Sequence, residues 1–91
     1  MRYALDYERD VRAYLRGLPL TRAGRLRLNV ALADLREIPD SFRMDPVNRD
    51  GPNFVFQRIF ADGGRWRQLQ LVVGDSSAVY GVLRVIYADL A

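Results

Sequence analysis

The residues best suited to bind an anion are Arg58, Arg65, Arg67, Arg84, Tyr80 and Tyr87. Guanidinium is planar, permanently charged and able to grip phosphate or carboxylate through two parallel hydrogen bonds. A tyrosine hydroxyl adds a donor and, in a suitable setting, a proton. Spacing suggests how they meet. Asp62-Gly63 supplies the positive φ angles of a two-residue type I′ hairpin, and closing there sets Phe60 opposite Arg65, Ile59 opposite Trp66 and Arg58 opposite Arg67. A second turn within Gly74-Asp75-Ser76-Ser77 sets Val73 opposite Ala78, Leu71 opposite Tyr80 and Arg67 opposite Arg84. The expectation is a row of Arg58, Arg67 and Arg84 on one sheet face, with Tyr87 on the other.

Like charges directly opposite one another in a sheet are unfavourable, so such a row needs an acidic counterpart. That counterpart is either a phosphate or a carboxylate. Asp62, Asp89 and the acids of segment 39–52 could supply it from within the chain, as a structural ion-pair network, and a partner could supply it from outside. A register slip of one residue, as a three-residue loop at Gly74 to Ser77 would cause, would send alternate side chains to the opposite face.

Other reactive chemistry is sparse. The chain has no cysteine and no histidine, which removes disulfides, thiolate nucleophiles and the usual zinc ligands. All fourteen of its basic side chains are arginine. General acid–base work would therefore rest on Asp, Glu, Tyr or Arg, and no residue is assigned a catalytic role. Gly63-Gly64 belongs to a hairpin, and Gly74 and Gly81 have no helix behind them, so neither cradles a phosphate. No cofactor is implied.

The elements that must position these residues follow from apolar periodicity. Arg2 to Leu5 reads as a short strand. A helix follows, with Asp6 as its cap and Val11, Tyr14, Leu15 and Leu18 as its buried stripe, ended by Gly17 and Pro19. Thr21 caps a second helix, whose broad apolar face takes in Ala23, Leu26, Leu28, Val30, Leu32, Ala33 and Leu35 and which stops before Pro39. Segment 39–52, with three prolines and Gly51, reads as a loop of roughly a dozen residues. The remainder is a three-stranded antiparallel meander. Its strands need a cover, and the antiparallel helical hairpin is the amphipathic material available for it. The fold expected over residues 1–91 is a single α+β domain of order β-α-α-β-β-β.

With 91 residues and an apolar share of 49%, the chain can bury a real core. No segment approaches the roughly 18 unbroken apolar residues of a membrane span, and Met1 to Asp10 lacks the hydrophobic run of a signal peptide, so a cytoplasmic location without membrane association is expected. The net charge of +3 is a mild attraction for nucleic acid, so non-specific affinity should be weak.

A short strand, a helical hairpin containing Leu26 to Leu35 and ending in a proline, and a meander finishing in Val82-Leu83-Arg84-Val85-Ile86-Tyr87 together resemble the RelE/ParE superfamily of bacterial toxins. The resemblance spans almost the whole chain and rests on element order and apolar pattern. It implies a cytoplasmic toxin of a toxin–antitoxin pair, held by an antitoxin protein. RelE-type members bind RNA in the ribosomal A site and cut messenger RNA, with sheet arginines steadying the phosphate. By position in the meander, Arg67 and Arg84 match those arginines, Arg58 matches less closely, and Tyr87 follows the last-strand arginine as a tyrosine does in RelE-like toxins. ParE-like members act on DNA gyrase without a nuclease site. The alternative of a different class is a non-catalytic protein-interaction module with an arginine–carboxylate network. Ribonuclease activity and oligomeric state stay open.

Overall fold

Thr21 sits three residues ahead of a glycine, and that pairing starts the longest helix. Its hydroxyl accepts a hydrogen bond from the Gly24 amide at 3.1 Å, the side-chain cap that a helix N-terminus needs. The computed structural model describes residues 2–75 and 80–91. Strand β1 is Ala4–Tyr7, helix α1 is Arg9–Arg16, helix α2 is Arg22–Arg36 and the single turn α3 is Asp40–Arg43. A 3₁₀ turn at Pro46–Asn48 leads into β2, Arg49–Asp50, followed by β3, Asn53–Asp62, β4, Arg65–Gly74, and β5, Val82–Leu90.

The molecule is α+β, with an N-terminal strand, helices, and then strands gathered in one sheet. The sheet has five strands in the order β1-β5-β4-β3-β2. β1 lies parallel to β5, with Leu5 opposite Leu83, and the other neighbours are antiparallel. The N-terminal strand therefore extends the meander on one edge and the two-residue β2 extends it on the other.

One sheet face is covered by α1 and α2. Phe54, Phe56, Phe60, Leu69, Leu71, Val73, Leu83 and Val85 project from it into the core. Val11 and Leu15 of α1 and Leu28, Ala31 and Leu35 of α2 meet them. The apolar face expected on α2 is narrower than its composition suggests: Leu26 and Val30 are both 60% exposed, and the buried stripe is Gly24, Leu28, Ala31 and Leu35. α1 is tied to the far end of β5 by the Tyr14 hydroxyl, which accepts from the Leu90 amide at 2.9 Å.

Three local expectations are corrected. Asp6 does not cap α1, because β1 runs on through Tyr7; Glu8 takes the cap position and makes no side-chain cap bond. Segment 39–52 is not plain loop, since α3, the 3₁₀ turn and β2 all lie within it. The Asp45 carboxylate accepts from the Val47 amide at 3.0 Å and starts that 3₁₀ turn. The first hairpin turns at Gly63-Gly64 rather than Asp62-Gly63, with Asp62 opposite Arg65 and φ angles of +57° and +78° at the two glycines. The reason is tertiary. Asp62 is drawn out of the corner by Thr21, whose hydroxyl donates to Oδ1 at 2.6 Å and whose amide donates to the same oxygen at 3.0 Å.

The second connection departs further. Val73 pairs with Val85 and Gly74 with Arg84, and a bulge shifts the register so that Val72 pairs with Tyr87 and Leu69 with Leu90. The expected pairings of Leu71 with Tyr80 and Arg67 with Arg84 do not form. Ser76 and Ser77 of the expected second turn, and Ala78, the expected partner of Val73, lie outside the described residues.

Candidate functional site

The corrected registers disperse the arginine row. Moving the first turn by one residue shifts β4 by two against β3, so Arg58 now faces Leu69, and Arg67 faces Phe60. A two-residue shift keeps side chains on their faces, so both arginines stay on the side that the helices cover, at its margin. The odd shift at the start of β5 does the reverse. Arg84, paired with Gly74, projects from the uncovered face. The expected neighbours therefore lie on opposite sides of the sheet.

Each arginine answers its charge separately. Arg58 folds over the Phe56 ring, 4.2 Å from its centroid, donates to the Gln57 carbonyl at 2.8 Å and lies 3.7 Å from the Asp34 carboxylate of α2. Arg67 donates from Nε to the Ala91 carbonyl at 3.1 Å. Arg65 stands exposed at the hairpin tip opposite Asp62. Arg84 is gripped twice, by Glu8 at 2.9 Å and by Asp6 at 3.1 Å. The hydrogen bond that Arg84 donates to Glu8, followed by the charges of Glu8 and Asp6, raises its pKa. The acids expected to neutralise the row were Asp62, Asp89 and those of segment 39–52. Arg84 instead takes Asp6 and Glu8, which the parallel pairing of β1 with β5 brings alongside it.

Of the two tyrosines, Tyr80 is 83% exposed just ahead of β5, remote from its expected place opposite Leu71. Tyr87 is half-exposed, opposite Val72. Odd spacing would put it on the far side from Arg84, but the bulge between them cancels that alternation. Arg84 and Tyr87 thus share the uncovered face, where Arg58 and Arg67 do not reach.

That uncovered face has its own composition. Gln57 and Gln70 sit opposite each other and share a side-chain hydrogen bond of 3.0 Å. Ile59 faces Gln68 and Trp66 faces Ala61; Ile59 is 67% and Trp66 78% exposed. Large apolar side chains standing free beside amide groups are the composition of a contact surface.

Two polar clusters went unnoticed in the sequence. The first is the junction of Asp62 with Thr21. Asp62 is only 7% exposed, and the Thr21 hydroxyl bond, aided by the Thr21 amide and the charges of Arg67 and Arg27, holds its carboxyl below the ordinary range against the opposing effect of desolvation. Any Cβ on Gly24 would fall 2.0 Å from Asp62 Oδ1, so only glycine allows this approach. The signal was Thr21 with Gly24 rather than an acid three residues on. The second cluster joins α3 to the end of β4. Asp75, nearly buried, accepts from Arg43 at 2.9 and 3.1 Å and pairs with Arg49, while Arg43 also bonds Asp40 at 2.9 Å. No short-range pattern links Asp75 to Arg43, which is why the sequence does not show it.

No family model, curated protein or solved structure matches the chain. Among the described residues no group of three or more acidic, histidine or cysteine side chains gathers in a metal-binding arrangement, and no helix is long and apolar enough to cross a membrane.

Proposed function

We propose that this protein acts by recognising other proteins, as a ParE-like rather than an RNA-cleaving relative of the RelE/ParE toxins, and that it is the cytoplasmic toxin of a toxin–antitoxin pair. The order of strand, helical hairpin and meander supports the family reading. The reading of mode rests on one observation: Arg84 is held by Asp6 and Glu8 on one sheet face, while Arg58 and Arg67 lie on the other. A phosphate site needs guanidinium groups converging on one point and free to turn toward it. Here the strongest candidate is already paired with two carboxylates.

The uncovered face supplies the contact surface instead. Trp66 and Ile59 toward the hairpin end and Tyr87 toward Arg84 are large and exposed, with the Gln57–Gln70 pair between them, and tryptophan and tyrosine carry a disproportionate share of binding energy at protein interfaces. The target by resemblance is DNA gyrase, and the restraining partner is the antitoxin.

Expression of the chain alone in a bacterial host tests the reading. Growth arrest with intact messenger RNA and induced DNA-damage signals is the expected outcome, and Trp66→Ser should relieve it without altering the far-UV circular dichroism. Messenger RNA cut in the arrested cells, with arrest unaffected by Trp66→Ser, would replace this reading with the ribonuclease.

A further inference from the structure

The two-residue β2 protects only the start of a ten-residue strand. It pairs with Asn53 and Phe54, and beyond them β3 is an edge of the sheet. Which of its backbone groups face outward follows from the ladder. Gln68 and Ala91 exchange both backbone hydrogen bonds, at 3.1 and 2.9 Å, so the even residues of β4 bond toward β5 and its odd residues toward β3. The partners of those odd residues are Phe56, Arg58, Phe60 and Asp62. Gln57, Ile59 and Ala61 therefore turn their amides and carbonyls out of the sheet.

This stretch lacks the usual guards of a sheet edge. Proline, a bulge or a covering element normally blunts one. From Gln57 to Ala61 there is no proline, and the pairing with β4 runs without a bulge. Two arginines reach it: Arg58 donates to the Gln57 carbonyl and Arg27 to the Ala61 carbonyl, each at 2.8 Å. A backbone carbonyl has two lone pairs, so each oxygen can take a strand amide as well. Among the described residues the amides of Gln57, Ile59 and Ala61 and the carbonyl of Ile59 have no partner.

The row is complementary to a second copy of itself. An antiparallel partner has to set odd residue on odd residue, which leaves few registers. A two-fold axis at Arg58 would put that arginine opposite its own copy, an unfavourable pair of like charges. An axis at Gln57 would drive Ala61 onto Asn53, which β2 already holds, and one at Phe60 would leave Gln57 opposite the turn. An axis at Ile59 uses the whole row. Ile59 meets Ile59 and Gln57 meets Ala61 on either side of it, each pair exchanging both hydrogen bonds.

The same axis matches the side chains. On the uncovered face Ile59, 67% exposed, packs on its own copy. On the helix side Arg58 falls opposite Phe60 of the second copy, beside a recess of about 190 Å³ that Val30, Asp34 and Phe60 line between α2 and β3. Asp34, already 3.7 Å from Arg58 of its own chain, supplies the counter-charge, so acids and arginines alternate across the seam. The side-chain-free turn Gly63-Gly64 of each copy arrives opposite Val55 of the other, at a depression of about 370 Å³ lined by Val47, Asn48, Val55 and Gln57. We infer that the protein forms a two-fold dimer by strand addition, β3 against β3, with one sheet running through both copies. The inference goes beyond the toxin reading and does not depend on it.

The test is sedimentation equilibrium of the whole chain over rising protein concentration. The mass should climb from the 10.5 kDa of one chain toward twice that value, and hydrogen exchange at the Gln57, Ile59 and Ala61 amides should slow as it does. Ile59→Lys sets two ammonium groups opposite each other and should weaken the dimer about tenfold. Because the chain has no cysteine, the register can also be read covalently. Ile59→Cys should cross-link to its own copy under mild oxidation, since directly paired residues lie within the reach of a disulfide. Gln57→Cys, which faces Ala61, should not. A mass that stays at one chain at every concentration, exchange at the three amides that does not change, or cross-linking as ready through Gln57→Cys as through Ile59→Cys would overturn the proposal.

Discussion

Asp62 ties the end of β3 to the start of α2. It is an acid at the end of a strand, folded back to receive the hydroxyl and amide that begin α2. A carboxylate beside the N-terminus of a helix gains from the dipole as well as from its hydrogen bonds, and the pKa of Asp62 is depressed accordingly. A depressed carboxyl contributes stability that is present above its unfolded-state pKa and is lost as pH falls through the folded value. Thermal midpoints measured across an acid titration should therefore hold above about pH 4, the ordinary aspartate range, and drop below it. In Asp62→Asn that drop should be shallower, with a lower plateau at neutral pH. Thr21→Ala, which removes the cap and a donor to Asp62 together, should cost about 1–2 kcal/mol at neutral pH in a denaturant titration.

At the scale of elements, the turn at Gly63-Gly64 decides where β4 lies. Both glycines have positive φ, a conformation that costs an ordinary L-residue roughly 1–2 kcal/mol. Gly63→Val with Gly64→Val should lower stability by about 2–4 kcal/mol on that scale, whereas Gly63→Asn, which tolerates the left-handed region, should be nearly neutral. Denaturant midpoints distinguish the two. The helical hairpin, the first β-hairpin and the cover over the sheet were legible in the sequence, because they follow from apolar spacing and local turn chemistry. The corner residue was not. Asp62-Gly63 is the better local signal, and it loses to Gly63-Gly64 because Thr21, far away in the chain, claims the aspartate. The bulge that moves Tyr87 beside Arg84 was equally hidden, as was the parallel docking of β1, since neither leaves a periodic trace. On α2, Leu26 and Val30 misled: they are apolar but fall outside the stripe of Gly24, Leu28, Ala31 and Leu35 that the sheet buries.

At the scale of the whole molecule, the arginines form separate sets rather than one site. Arg43 of α3 and Arg49 of β2 both pair with Asp75 at the end of β4, Arg84 joins β1 and the start of α1 to β5, and Arg58 links β3 to α2. Arg12, Arg16 and Arg36 line a cleft between the helices and β1 instead. The candidate residues Arg58, Arg67 and Arg84 were recognisable as unusual in the sequence. Their separation was not, because it depends on two turns and a bulge acting together. A phosphate-binding row would have made RNA the natural ligand; the dispersal of these arginines is what the proposed protein-recognition reading rests on. The most direct measurement is the affinity of the purified protein for a short single-stranded RNA across a range of salt concentrations, beside Arg67→Gln with Arg84→Gln. The account predicts weak binding with the same salt slope in both proteins. A double variant that loses affinity and flattens the slope by about one for each arginine removed would contradict it, because it would place both guanidinium groups on phosphate.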